Sequence, residues 1–279
     1  MNNSLKWFYI GDIGLFNNSL LKLLLTQQRT DNKFIIILGD NFYPHGIDSQ
    51  TKDQWRNIIH INKILNTPML PILGNHDYHL DPYEQIKKTN FNWIFPNFYY
   101  GYQHTVGDIK IGFWLIDTQI LTLDGPDIDK DLIENRLKKN AKQEQLKHIQ
   151  WLEKTLQLSN ADIKIVNGHY PMYSNGNYGN NPDLIKILLP LFKKNNVQFY
   201  FSGHDHNFQH IKKNFPNNYT LNQFICGSSS EIRPYDNGNR DDVIIHKHIG
   251  VECVFKNRTL NILARDSDNN IAYQSRFVI

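Results

Sequence analysis

The segment FIIILGDNFY at residues 34–43 decides the fold class. Its apolar run, 34–38, is typical of a buried strand, and the Gly39-Asp40 pair that follows allows a sharp turn. Apolar runs at 6–10, 69–73 and 110–117 predict further strands, with helical patterns at 19–28 and 50–65 between the first three. This alternation of strand and helix is typical of an α/β protein with parallel strand pairs.

The second half of the chain continues the pattern and then changes to strands. Helices are predicted at 141–158 and from Asn181-Pro182 onward, with Pro190 expected to interrupt the second of them. Strands are predicted at 162–166, 197–201, 221–225, 250–255, 259–265 and 274–279. The polar segment Asp124–Asn140 is predicted to be a long surface loop. We therefore expect residues 1–279 to form a single α/β domain, with two mixed β-sheets packed as a sandwich and helices on the outer faces.

Composition excludes several classes of protein. The 279 residues carry 30 Lys and Arg against 27 Asp and Glu, a net charge of +3, and no basic block indicates nucleic acid as a partner. The apolar runs are far shorter than the roughly 20 residues that span a bilayer, so no membrane association is expected. Two cysteines are too few for a disulfide framework. No secretory leader is visible before residue 11, so a cytoplasmic protein is expected, and we expect it to be a monomer.

Five predicted strands end in Gly followed by a residue able to bind a metal. The side chains concerned are Asp12, Asp40, Tyr43, Asn75, His169, His204 and His206. Taken alone, any one of them is more often part of a turn or a hydrogen-bonded core residue than a metal ligand. Because open α/β sheets place ligands beyond the carboxyl ends of their strands, all seven are expected in one cleft, where only a cation would neutralise them.

The number and type of these side chains indicate two metal ions. Seven ligands suffice for a pair of ions about 3.5–4 Å apart if one carboxylate is shared, and Asp40 is the natural bridging residue. Tyr43 offers a phenolate, which is a hard anionic donor and favours ferric iron over a purely zinc site.

The same motifs match a known family. Gly-Asp-Ile-Gly at 11–14, Gly-Asp-Asn-Phe-Tyr at 39–43, Gly-Asn-His-Asp at 74–77, Gly-His-Tyr-Pro at 168–171 and Gly-His-Asp-His at 203–206 occur in order. With them the chain resembles the metallophosphoesterases, which share the calcineurin-like fold, and within them the purple acid phosphatases of the tartrate-resistant type. The superfamily usually has a His where this chain has Gly14, and Tyr43 takes its place in the purple subgroup.

The resemblance implies a role for each matching residue. Ferric iron would be bound by Asp12, Tyr43 and His206, a divalent iron, zinc or manganese ion by Asn75, His169 and His204, and Asp40 would lie between them. His76 would hydrogen-bond the substrate phosphate and protonate the leaving group. Asn75 and Tyr178 are further candidate substrate contacts. Tyr178 aligns with an acidic or imidazole group of the family, which leaves the pH optimum open.

The implied reaction is hydrolysis of phosphate monoesters by a metal-bound hydroxide, with a small phosphoester as substrate. One alternative is the same centre acting on phosphodiesters or nucleotides. Another is a metal-stabilised binding module without catalysis, although the complete ligand set together with His76 favours an enzyme. Arg233 is either a phosphate contact or a surface residue, and His45 and His79 are either substrate contacts or solvated loop residues.

Overall fold

The computed structural model describes residues 4–27, 33–50, 52–88, 92–123, 130–234 and 242–279. In these ranges the strands are β1 Ser4–Ile10, β2 Phe34–Ile37, β3 Met69–Pro71, β4 Tyr100–Val106, β5 Ile109–Leu115, β6 Ile163–Asn167, β7 Phe199–Ser202, β8 Phe208–Phe215, β9 Tyr219–Cys226, β10 Val243–Ile245, β11 Ile249–Lys256, β12 Thr259–Asp266 and β13 Ile271–Val278. The helices are α1 Asn18–Gln27, α2 Trp55–Leu65, α3 Tyr83–Lys87, α4 Thr118–Leu121, α5 Lys130–Leu137, α6 Ala141–Leu158 and α7 Pro182–Asn195, with single 3₁₀ turns at Lys52–Gln54 and His76–Tyr78.

The strands form two mixed sheets. The first has the order β13-β12-β11-β1-β2-β3, and the second has the order β10-β8-β9-β7-β6-β5-β4. Strands β1, β2 and β3 run parallel to one another, as do β5, β6, β7 and β9, whereas the remaining pairs are antiparallel. Each sheet therefore presents the carboxyl ends of several parallel strands at one edge, which is where the predicted ligands lie.

Strand β1 shows why the sheets pack as a sandwich with helices outside. Successive side chains of a strand point to opposite faces, and here both faces are buried. Trp7 and Tyr9 belong to the core between the sheets, where the Tyr9 ring stacks on Phe201 of β7 at 4.0 Å between centroids. Phe8 and Ile10 point outward into the cluster formed with α1 and α2. Burial on both faces explains the continuous apolar runs in the sequence.

The outer face of the second sheet is covered by α6 and α7. Leu152 and Leu156 of α6 and Leu184 and Leu188 of α7 pack over Tyr200 of β7. The predicted fold class is thus confirmed: two mixed sheets with helices on their outer faces. Among the described helices, none has the length and apolar character needed to cross a bilayer.

Two expectations about local structure were wrong, and three strands were not predicted. The segment predicted as one long loop contains helix α5, while its residues 124–129 lie outside the described ranges. Only Ile133 and Leu137 of α5 are buried, and two apolar residues are too few to produce a helical periodicity in the sequence. Helix α7 runs through Pro190 without the expected interruption. Strands β4, β8 and β10 were not predicted, and β4 is a mostly exposed edge strand.

His148 of α6 makes the stability of the fold depend on pH. Its imidazole is fully buried and stacks on Tyr99 at 4.0 Å, and neither ring nitrogen has a hydrogen-bond partner among the described residues. Burial lowers the pKa of His148 to about 3, from the ordinary value of 6.5. The unfolded chain therefore binds a proton that the folded chain does not, and stability falls as the pH decreases from 6.5 toward 3.

We expect His148→Phe, which keeps an aromatic ring against Tyr99, to remove this contribution. A single such group changes the free energy of unfolding by about 1.4 kcal/mol per pH unit, so the wild type should lose roughly 2–3 kcal/mol more than the variant between pH 6.5 and 4.5. Urea unfolding at several pH values measures the difference. His60→Gln, at an exposed histidine of α2, should behave as the wild type. Equal pH dependence in wild type and His148→Phe would contradict the assignment.

Candidate metal centre

The seven predicted ligands lie on turns that follow five parallel strands. Asp12 follows β1, Asp40 and Tyr43 follow β2, and Asn75 follows β3, all in the first sheet; His169 follows β6, and His204 and His206 follow β7 in the second. The structure thus brings both sheets' strand ends to one cleft, as expected for ligand sites in α/β sheets.

The centre of this cleft contains two buried carboxylates. Asp12 is fully buried, Asp40 is 2% exposed, and one ligand atom of each lies within 4.8 Å of the other and of a ring nitrogen of His169. Two carboxylates so close and so far from water repel each other unless a cation lies between them. The donor set of oxygens and an imidazole nitrogen therefore fits a bound metal ion.

Tyr43 joins the two carboxylates on their open side. Its hydroxyl oxygen lies 3.3 Å from Asp12 Oδ1, 3.1 Å from Asp40 Oδ2 and 3.1 Å from His206 Nε2. A phenol has one proton and cannot donate to both carboxylates at once. Burial, together with the charges of Asp12 and Asp40, raises the pKa of Tyr43 far above its usual value when no cation is bound. Deprotonation of Tyr43 as a ligand therefore requires a metal's positive charge.

Gly14 makes the position of Tyr43 possible. A Cβ atom at residue 14 would lie 2.5 Å from the Tyr43 amide nitrogen and 2.6 Å from its ring. Any larger side chain at this position, including the histidine usual in the superfamily, would displace the tyrosine ring. The two departures from the superfamily pattern, Gly14 and Tyr43, are therefore one structural change.

Of the three candidate histidine ligands on the second sheet, His169 is held through its other ring nitrogen. His169 Nδ1 donates to the Leu38 carbonyl at 2.8 Å, so Nε2, which lies 3.0 Å from Asn75 Oδ1, is the nitrogen that faces the cleft. His206 Nδ1 lies 3.1 Å from the Glu231 carboxylate without forming a hydrogen bond among the described residues, so Glu231 is a charged neighbour of this imidazole.

Three of the predicted ligands have strained backbone conformations. The φ angles of Asp12, Asp40 and His204 are 56°, 52° and 71°, in the left-handed region that non-glycine residues rarely adopt. Such conformations cost on the order of 1–3 kcal/mol each and persist at functional sites. The strained backbone of His204 also lets its amide donate to Asp12 Oδ2 at 2.9 Å.

The buried carboxylate of Asp77 supports two of the turns that carry candidate ligands, and the sequence analysis assigned it no role. Asp77 accepts hydrogen bonds from the backbone amides of Asn41 (3.2 Å) and Gly74 (2.9 Å), and so joins the second and third ligand turns. Burial, with the nearby charge of Asp40, raises the pKa of Asp77 to about 7. Asp77 is the last residue of the Gly-Asn-His-Asp motif, so the sequence pointed to this residue but did not show that it supports the neighbouring turns.

The Ser-rich segment after β9 secures the first ligand turn. Ser229 Oγ accepts a hydrogen bond from the Gly11 amide at 3.1 Å, and Ser230 Oγ donates to the Asp12 carbonyl. These contacts join residues more than two hundred positions apart, so no local pattern reveals them. They explain how Asp12 keeps its strained conformation.

His76 and Tyr178, the predicted substrate contacts beside Asn75, both lie at the cleft. His76 Nδ1 donates to the Pro44 carbonyl at 2.6 Å, and its Nε2 lies 3.9 Å from Asp40 Oδ2. Because a carbonyl oxygen only accepts, Nδ1 carries a proton and Nε2 is the nitrogen that faces the site. The Tyr178 ring lies over His204 and is 42% exposed.

Comparison with known proteins agrees with this geometry. The family model of the calcineurin-like phosphoesterases matches residues 6–208. The chain belongs to this family. It is 28% identical over 230 residues to tartrate-resistant acid phosphatase type 5 of Sus scrofa, covering 78% of this chain and 65% of that protein. It is 30% identical over 224 residues to the Rattus norvegicus protein of the same name, covering 76% and 68%.

Two further matches extend this result. Purple acid phosphatase 17 of Arabidopsis thaliana is 30% identical over 228 residues, covering 75% of this chain and 64% of that protein. The solved structure of GAP50, described as the anchor in the inner membrane complex of Plasmodium, superposes with a TM-score of 0.82 at 22% identity, covering 100% of this chain and 90% of that one. The predicted relationship to tartrate-resistant and purple acid phosphatases is confirmed. The sequence matches span about two thirds of the length of these curated relatives.

Proposed function

We propose that the protein is a binuclear metal-dependent phosphatase that hydrolyses phosphate monoesters. The observation that carries the proposal is that two buried carboxylates, Asp12 and Asp40, and the imidazole of His206 all lie 3.1–3.3 Å from the Tyr43 hydroxyl. Membership of the phosphoesterase family supports metal-dependent hydrolysis of phosphoesters.

The residues divide into two ligand groups. Asp12, Tyr43 and His206 would hold ferric iron, and their mutual contacts of 3.1–3.3 Å support this grouping. Asn75, His169 and His204 would hold a divalent iron, zinc or manganese ion, and Asp40 would lie between the two ions. When bound, such a pair supplies Lewis acidity and a water molecule acidified enough to act near neutral pH.

The protein's own groups would orient the reaction. The Leu38 carbonyl fixes the ring of His169, and the charge of the Glu231 carboxylate lies 3.1 Å from His206 Nδ1, on the opposite side of that ring from the Nε2 that faces Tyr43. His76, held by Pro44 through Nδ1, would donate a proton from Nε2 to the departing alkoxide. The small phosphoester would bind between His76 and Tyr178, with Asn75 beside them.

The test is a rate comparison on the metal-loaded protein. We expect hydrolysis of nitrophenyl phosphate to be faster than hydrolysis of bis(nitrophenyl) phosphate. The reverse preference would favour a phosphodiesterase or nucleotidase using the same centre. Two bound metals without hydrolysis of either ester would favour a binding module, because an anchor protein such as GAP50 has the same fold.

The Tyr43→Phe variant tests the ferric site. A phenolate on ferric iron gives a visible charge-transfer band, and we expect the purified wild type to show it and the variant to lose it completely. Phe keeps the ring packed on Gly14, so the fold should be retained. Tyr102→Phe, at a half-exposed tyrosine of β4, is the matched control and should leave the spectrum unchanged. A band that survives in Tyr43→Phe would show that this phenol is not bound to iron.

A further inference from the structure

Two residues from different loops meet at the mouth of the cleft. Arg233 Nη1 donates a hydrogen bond to the Tyr178 hydroxyl at 2.6 Å. The guanidinium carbon of Arg233 lies 5.8 Å from the centre of the Tyr178 ring. That ring in turn stacks on His204, with 4.1 Å between centroids and 29° between planes. Arginine and tyrosine therefore form a connected unit directly above one of the predicted metal ligands.

Both residues are fixed relative to the ligands of the second sheet. The Arg233 backbone amide donates to the His206 carbonyl at 2.8 Å. The loop that carries Tyr178 is held by Asp205, whose carboxylate accepts hydrogen bonds from Ser174 Oγ and from the Tyr178 backbone amide. The unit is thus attached to Asp205 and His206, which belong to the same turn as His204, and its position follows that of this turn.

The hydrogen-bonding capacity of the unit is only partly used. Among the described residues no carboxylate lies within 4 Å of the Arg233 guanidinium, because the nearby Glu231 pairs with His206 instead. A guanidinium has five N–H donors, and the Tyr178 hydroxyl takes one. As the acceptor in that bond, the hydroxyl retains its own proton for donation. A half-buried cation and a phenol therefore offer donors to an anion in the cleft.

We propose that Arg233 and Tyr178 form an anion clamp that selects phosphate monoesters over phosphodiesters. A monoester has three terminal oxygens and carries up to two negative charges, whereas a diester has two terminal oxygens and one charge. The planar fork of arginine binds charged phosphate oxygens strongly, and it gains nothing from the ester oxygen that a diester would present. The proposal rests on the function proposed above, because it explains how the same centre would distinguish these two classes.

The test uses two variants of the metal-loaded protein and two kinds of measurement. Arg233→Gln removes the charge, and Tyr178→Phe removes the hydroxyl but keeps the ring on His204. Calorimetric titration with inorganic phosphate should show affinity reduced about 10- to 100-fold in Arg233→Gln and about 2- to 10-fold in Tyr178→Phe, as expected for charged and neutral hydrogen bonds. For nitrophenyl phosphate, kcat/KM should fall by similar factors, and for bis(nitrophenyl) phosphate by less than about 3-fold.

Arg56→Gln is the matched control, because Arg56 lies exposed on α2 and pairs only with Asp53 at 3.3 Å among the described residues. It should leave phosphate affinity and both rates unchanged. Unchanged phosphate affinity in Arg233→Gln, or equal losses on the two esters, would overturn the clamp. If the wild type hydrolyses neither ester, the proposed function fails, whereas the phosphate titration still decides whether Arg233 and Tyr178 bind the anion.

Discussion

Replacement of Asp40 by Asn is expected to reduce the bound metal from two ions to one or none and to abolish most of the activity. The amide preserves the size of the side chain and tolerates the left-handed backbone, with φ at 52°. It removes the charge that a bridging ligand supplies. Loss of a single electrostatic stabiliser costs roughly 10²–10³-fold in rate, so a decrease of at least about 10³-fold is expected when metal binding fails as well.

In the metal-free protein, the same substitution should increase thermal stability. Without a cation, the Asp40 carboxylate lies beside that of Asp12 and the two repel each other. Burial raises the pKa of Asp77, and the charge of Asp40 raises it further. Removal of this repulsion should raise the melting temperature of the metal-free variant above that of the metal-free wild type. Metal analysis and calorimetry of both forms measure these effects, with the exposed Asp53→Asn as control. Two retained ions with wild-type activity would refute the bridging role.

His76→Ala is expected to have the second-largest effect, and its size should depend on the leaving group. A general acid contributes about 10²–10⁴-fold when the departing alkoxide is a strong base. We expect a loss in this range for an alkyl phosphate. For nitrophenyl phosphate, whose leaving group needs little protonation, the loss should be at least about tenfold smaller.

Steady-state rates on the two substrates measure this difference, with metal content determined in parallel. His76 also donates to the Pro44 carbonyl, and its backbone amide donates to Asp40 Oδ1 at 3.0 Å. Alanine retains the amide, so two metals should remain bound. The exposed His60→Ala should leave both rates unchanged. Equal losses on the two substrates would exclude the acid role and leave His76 as a phosphate contact.

The positions of the candidate ligands were predictable from sequence because each follows an apolar run, and parallel strands of a sheet place such residues at one edge. Asp12, Asp40 and His169 are brought together for this reason. The groups that hold the ligands in place were not predictable. Glu231 contacts His206 from a separate loop, and Ser229 contacts Gly11 across 218 positions, so their roles depend on tertiary packing.

The errors in secondary structure have a similar origin. Helix α5 buries only Ile133 and Leu137, and edge strand β4 exposes most of its side chains, so neither carries the periodicity that identifies buried elements. Pro190 lies inside a helix whose packing over the second sheet, through Leu184 and Leu188, outweighs the loss of one amide donor.

The candidate ligands come from both sheets, so metal ions bound to them would link the two layers of the sandwich. Asp12, Asp40 and Asn75 come from one layer, and His169, His204 and His206 come from the other. Bound ions would therefore hold the two layers together, because the layers could not separate without breaking metal–ligand bonds. Chelation should loosen the contact of one layer with the other before it unravels either, and slow exchange of interlayer amides would report ion occupancy far from the cleft.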